Sequence, residues 1–188
     1  MKTPVALVAL TLALALTSGC SAERGTTTSG PMQPASGGSA VEPSLDGASL
    51  PPWAAPTDVP ARAASAGLNL GPMGTAEHYH PHLRIIIDGT DVPVARNIGV
   101  DPATGAMSAL HTHEGDGTIH IESDTEGAVF TLGQLFVQWG VKLTSRQIGG
   151  VRAESGSEVE VTSNGDAVVG DPMDLTLAPE QEIVLTVG

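Results

Sequence analysis

Residues 130–140 read Phe-Thr-Leu-Gly-Gln-Leu-Phe-Val-Gln-Trp-Gly, a complete helix signal lying between two groups of strand signals. Thr131 can cap the N-terminus, and Gln134 three residues on can reach back to complete a capping box. Leu132, Leu135, Phe136 and Trp139 fall at i, i+3, i+4 and i+7, giving one apolar stripe, and Gly140 supplies the stop. Such a stripe needs a sheet to cover it.

Strand signals lie on both sides. Residues 78–88 run into the turn signal Asp88-Gly89, and 91–100 follow as a second extended piece. Residues 108–113 and 118–123 flank Glu114-Gly115-Asp116-Gly117, which reads as a tight hairpin. After the helix, 159–162 precede Asn164-Gly165, and 182–187 close the chain as a strand. The resulting order β-β-β-β-α-β-β specifies an α+β domain, a small mixed or antiparallel sheet with one packed amphipathic helix. A β-grasp arrangement is one topology that fits.

That domain is expected to span residues 76–188 as a single unit. Before it, residues 21–75 hold 8 of the 14 prolines among Gly, Ser, Thr and Ala, a composition that buries too little apolar surface to offset the entropy of ordering it. This stretch is expected to be a disordered linker, with Trp53 exposed within it. Residues 1–20 carry Lys2, an apolar stretch from Val5 to Leu16 and small residues leading to Cys20. As a helix that stretch reaches only about 18 Å against the ~30 Å of a bilayer core, so it reads as a signal peptide and not a span. Its Leu-Thr-Ser-Gly-Cys end resembles the lipobox of bacterial lipoproteins, although Thr17 stands where Leu is commoner. The resemblance implies lipidation at Cys20 and a location on the extracytoplasmic face of a cell membrane, anchored by the lipid.

Composition narrows the chemistry. With 8 Lys+Arg against 21 Asp+Glu and a net charge of −13, no basic stripe can form to release counterions from a phosphate backbone, so nucleic acid is excluded as a partner. Cys20 is the only cysteine, which rules out an intramolecular disulfide, thiolate catalysis in the folded part and cysteine-based zinc sites. The sequence also lacks a Gly-x-Ser-x-Gly elbow, a phosphate-binding glycine loop with Lys and a His-Glu-x-x-His helix.

Histidine is the anomaly: all six, His78, His80, His82, His111, His113 and His120, lie between residues 78 and 120. Side chains alternate along a strand, so Leu83, Ile85 and Ile87 would line the core while His78, His80 and His82 point away. In the hairpin, a turn at Gly115-Asp116 pairs His113 with Thr118 and His111 with His120, on the face opposite Leu110, Ile119 and Ile121. Opposed residues sit ~4.5–5.5 Å apart at Cβ, near enough to share a metal ion. If the first strand lies beside the hairpin, all six histidines join one surface. Glu122, Glu77 and Asp116 are candidate additional ligands or orienting groups. Met107 shares the parity of His111, and a thioether there would favour copper.

The blocks HYHPHLRIIIDG, Asn97-Ile98-Gly99-Val100, LHTHEGDGTIHIES and FTLGQLFVQWG, in this order, resemble a group of exported bacterial and archaeal proteins without an established function. The resemblance covers residues 78–140, with a weaker echo in the terminal segment, and implies domain bounds more than chemistry.

Together these features describe an exported, lipid-anchored protein that binds a transition metal, copper or zinc, through its histidines. A metal-dependent hydrolase or oxygenase using the same site, with Glu122 or Asp116 as general base, is one alternative. A cell-surface interaction module with pH-sensitive histidine contacts is the other.

Overall fold

The structure, a computed structural model, describes residues 47–188. The signal segment with Cys20, and residues 21–46 of the expected linker, lie outside the described residues. Two α-helices and thirteen strands follow in chain order. Helix α1 (Val59–Ser65) and strand β1 (Leu70–Gly71) come first, then β2 (Glu77–Tyr79), β3 (His82–Ile87) and β4 (Thr90–Val92). Strands β5 (Met107–Ser108), β6 (Leu110–His111) and β7 (His120–Ser123) precede helix α2 (Leu132–Trp139). After it come β8 (Leu143–Thr144), β9 (Gln147–Ile148), β10 (Val151–Arg152), β11 (Glu160–Ser163), β12 (Asp166–Ala167), a 3-10 turn at Pro172–Asp174 and β13 (Glu182–Val187). No helix among the described residues is long and apolar enough to cross a membrane.

The main sheet has the order β12-β11-β13-β3-β4, with β13 parallel to β3 at its centre and the other pairs antiparallel. The sheet's first and last strands, β3 and β13, lie side by side, with the β3-β4 hairpin on one flank, the β11-β12 hairpin on the other and α2 between the two hairpins in the chain, which is the β-grasp arrangement. Both hairpin turns follow from their dipeptides. Asp88 and Gly89 take φ 49° and 73°, and Asn164 and Gly165 take φ 52° and 87°, the doubly positive φ that matches strand twist in a two-residue loop. In β3, Leu83, Ile85 and Ile87 are buried, as alternation requires, and they face Ile183, Leu185 and Val187 of β13 in register. Leu132, Leu135, Phe136 and Trp139 of α2 complete the same core. The capping box at Thr131 and Gln134 is formed, and Gly140 ends the helix at φ 75°.

Two expectations are corrected. The folded unit does not begin at Ala76, for residues 47–75 belong to the same compact unit as the rest of the described chain. Trp53 is only 6 % exposed. Its ring meets Trp139 edge-on at 5.6 Å, and its indole N–H donates to the Ser49 carbonyl at 2.8 Å. The Trp139 indole N–H in turn donates to the Ala54 carbonyl at 3.0 Å, and α1 buries Val59 and Ala63. The proline-rich composition was outweighed by one large aromatic with a pocket to fill.

Residues 78–88 are likewise not one strand. Pro81 brings no N–H to a ladder, and the chain changes sheets there. On one side β2 joins a three-stranded sheet of order β2-β7-β6, while β3 enters the main sheet. This small sheet, formed around residues inserted between the first hairpin and α2, carries His78, His111 and His120.

Candidate metal centre

Strand β7 is the middle of the three-stranded sheet, and its register sets the site. His111 of β6 faces His120, and on the other flank His78 of β2 faces Glu122. Residues 120 and 122 share a face by alternation, so His111, His120, Glu122 and His78 all project to one side, while Leu110, Ile121 and Tyr79 lie on the other. The adjacency of the first strand to the hairpin therefore holds in the ladder at Glu77–Tyr79 and again where His82 bridges Thr118.

The hairpin opens beyond His111, and His113 does not pair with Thr118. Thr112 instead exchanges backbone hydrogen bonds with Asn97 and Ile98, and Thr118 bridges to His82. His113 still reaches the site from the loop. Ligand nitrogens of His111, His113 and His120 all lie within 4.8 Å of one another. The His111 and His120 rings stack at 5.4 Å, and His113 stands edge-on to each at 4.7 Å. His80 continues the row, its ring 4.7 Å from that of His120.

This face is not the open surface that alternation alone implies. His111 is 0 % exposed and Glu122 8 %. Burial pushes the His111 imidazolium down to about 4, so the ring is neutral near pH 7. Burial lowers His120 too, with His113 and His80 adding to the effect. His111 Nδ1 lies 2.9 Å from the Ser108 carbonyl oxygen, which can only accept, so Nδ1 donates and Nε2 presents its lone pair to the site. His113 Nε2 is 3.1 Å from that lone pair. Two imidazoles on one tetrahedral ion, with bonds of ~2.0–2.1 Å, would stand about 3.3 Å apart, so this pair is already near bidentate spacing.

Glu122 faces both ends of the group. Oε1 is 3.5 Å from His78 Nε2 and Oε2 is 3.8 Å from His111 Nε2. The Oε2 to Nε2 approach brings two acceptors together. His120 Nε2 and Glu122 Oε2 are both buried without a hydrogen-bond partner. Each such orphan costs about 1–3 kcal/mol, which a shared cation would remove. A cluster of three histidines, His111 buried and His113 and His120 half-buried, with a carboxylate beside it, could therefore hold a metal ion.

The other expected residues are placed elsewhere. His82 lies beyond the Pro81 break, with Nε2 donating to the Asp116 carbonyl at 2.8 Å and Nδ1 3.4 Å from Glu182, so it leaves the group. The Asp116 carboxylate caps its own turn, accepting from the Thr118 backbone N–H at 2.9 Å, and that bond holds its carboxyl below the usual range. Glu77 accepts from the Gly127 backbone N–H, and Met107 sits in β5 opposite Gly71. Of two surface cavities, about 410 and 330 Å³, only the first touches a histidine, His82.

A supporting network escapes the strand pattern. Gln138 of α2 is fully buried; its Nε2 donates to the Leu110 carbonyl at 2.9 Å and its Oε1 accepts from Ser108 Oγ at 2.7 Å. Gln138 thereby fixes the Ser108–Leu110 segment that orients His111. A Cβ on Gly99 would lie 2.6 Å from Ser108 Oγ and 2.7 Å from Gln138 Oε1, so only glycine leaves room. The sequence signal is weak: Gln138 is a polar residue three places after Leu135, flanking the apolar arc and not inside it. Replacing Gln138 by Leu should weaken metal binding by about 10–100-fold, the usual effect of losing an orienting partner. A metal titration of the variant against wild type checks this, and an unchanged affinity contradicts it.

The pH dependence follows from His111. Between its ordinary 6.5 and about 4, the unfolded chain binds a proton that the folded chain refuses, so stability falls as pH drops through that window and is flat above it. Metal-free protein should lose about 2 kcal/mol through this residue between pH 7 and pH 5. Urea denaturation of chelator-treated wild type and His111→Asn measures it, and the variant's profile should be the flatter by that amount.

No family model, curated protein or solved structure matches the chain.

Proposed function

We propose that this chain is an exported, lipid-anchored protein that binds a transition metal ion through His111, His113 and His120, with Glu122 as a fourth donor. The observation that carries the reading is the pair of buried, unpartnered atoms, His120 Nε2 and Glu122 Oε2, beside the oriented lone pair of His111. Three imidazoles and one carboxylate suit the divalent ions Zn²⁺ and Cu²⁺. The anchor would be a lipid on Cys20, on the extracytoplasmic side of a cell membrane, and the role would be acquisition, buffering or hand-over of the ion. The net charge of −13 supports this by raising the local concentration of cations.

Competition titration of the full chain, without a polyhistidine tag, against chelators of graded affinity tests the reading. Both ions should bind tightly at a single site. Failure to compete for either ion contradicts it. Mass analysis of the membrane fraction, before and after Cys20→Ala, tests the anchor separately.

A further inference from the structure

The six histidines are not equivalent, and five of them, all but His82, form one line along which burial is graded. His78 has a side chain 61 % exposed, while His111 is 0 % exposed. Between them the rings touch in sequence: His78 to His80 at 4.8 Å, His80 to His120 at 4.7 Å, and His120 to His113 at 4.7 Å and to His111 at 5.4 Å. The sheet register builds this row. With His78 opposite Glu122 and His111 opposite His120, the same face of three adjacent strands carries one line from β2 across β7 to β6.

Nitrogen atoms of His111, His113 and His120 gather within 4.8 Å, whereas His78 and His80 stand outside that group. We propose that His78 and His80, with Glu122 alongside, form a transfer track that passes the metal ion between an external chelate and the triad around buried His111. This rests on the metal-binding reading above.

The chemistry is stepwise ligand exchange. An ion held at ~2.0–2.1 Å from one imidazole is within reach of the lone pair on the next ring, so each step forms one metal–nitrogen bond as another breaks. The oxidation state does not change, and no electron is transferred. Glu122 suits the transit because its two oxygens face opposite ends of the track, His78 at 3.5 Å and His111 at 3.8 Å. A carboxylate there compensates the ion's charge along the passage. A direct route to the triad would instead strip the ion of its outer ligands in a single step.

The test separates rate from affinity. The full chain, loaded with Zn²⁺, is mixed in stopped flow with excess chromophoric chelator, and the apo chain is mixed with the zinc chelate for the reverse reaction. His78→Asn/His80→Asn should keep the single zinc and an affinity within about threefold of wild type, while transfer slows about tenfold or more in both directions. His78→Asn alone changes an exposed side chain that the fold does not need, and it should already slow transfer measurably. Transfer at the wild-type rate in both variants overturns the track while leaving the metal site standing. A drop in affinity of tenfold or more in the double variant makes these residues holding ligands and also overturns it. Wild type that binds no zinc removes the metal-binding reading itself.

Discussion

Replacing His111 with alanine is expected to lower metal affinity by about 10²–10³-fold. Structural zinc sites bind with roughly 10–16 kcal/mol, so one of four donors carries about 3 kcal/mol, and each 1.4 kcal/mol is tenfold. His111 should stand at the upper end of that range because its lone pair is already aimed: Nδ1 is committed to the Ser108 carbonyl, and the ring is neutral near pH 7. His113, which reaches the site from an open loop and not from a ladder, should cost less when replaced. Competition titration of the two single variants measures the order. An affinity loss under threefold for His111→Ala contradicts the assignment of this residue as a ligand.

The second large effect concerns stability. Trp53→Ala should destabilise the protein by about 3–5 kcal/mol, the usual cost of removing a buried large aromatic. At this chain length that lowers the melting temperature by about 10 °C or more. The loss combines the edge-on contact with Trp139, the indole hydrogen bond to Ser49 and the packing of a segment whose backbone joins Gly47 to Lys142 and Ser49 to Gly150. A fragment starting at Ala76 lacks Trp53, Val59 and Ala63 together, and it should unfold at a lower temperature still. Thermal denaturation of the two against the full chain checks this, and equal midpoints would show that residues 47–75 add nothing to the core.

How much of this could be read from the sequence depends on whether the deciding interaction is local. The helix at 132–139 was legible because its cap, stripe and stop are all near neighbours in the chain. The two hairpin turns were legible because Asp-Gly and Asn-Gly carry the required φ themselves. The pairing of His111 with His120 came from alternation about a short connection, and it survives although the loop between them opens. His82 was misplaced for a nonlocal reason. Parity assumes an unbroken strand, and Pro81 marks a change of sheet that alternation does not register. Trp53 failed similarly, since a composition argument averages over a segment in which one side chain decides the outcome.

The burial of the histidine face was also out of reach. Alternation says which residues share a side, not what covers it, so the sequence placed His111 on an open sheet surface, where it would have titrated normally. Its enclosure changes the chemistry, because it holds the ring neutral and leaves two polar atoms unpartnered. Gln138, on a helix far from the histidines in sequence, belongs to the site for the same nonlocal reason.

Elemental analysis offers the most direct test of the metal centre. The untagged full chain and a variant with His111, His113 and His120 all replaced by alanine are equilibrated with Zn²⁺ or Cu²⁺ and desalted. Wild type should retain close to one ion per chain, and the triple variant, its triad removed, should retain none. Metal-free wild type, or equal metal in the two proteins, would contradict the account.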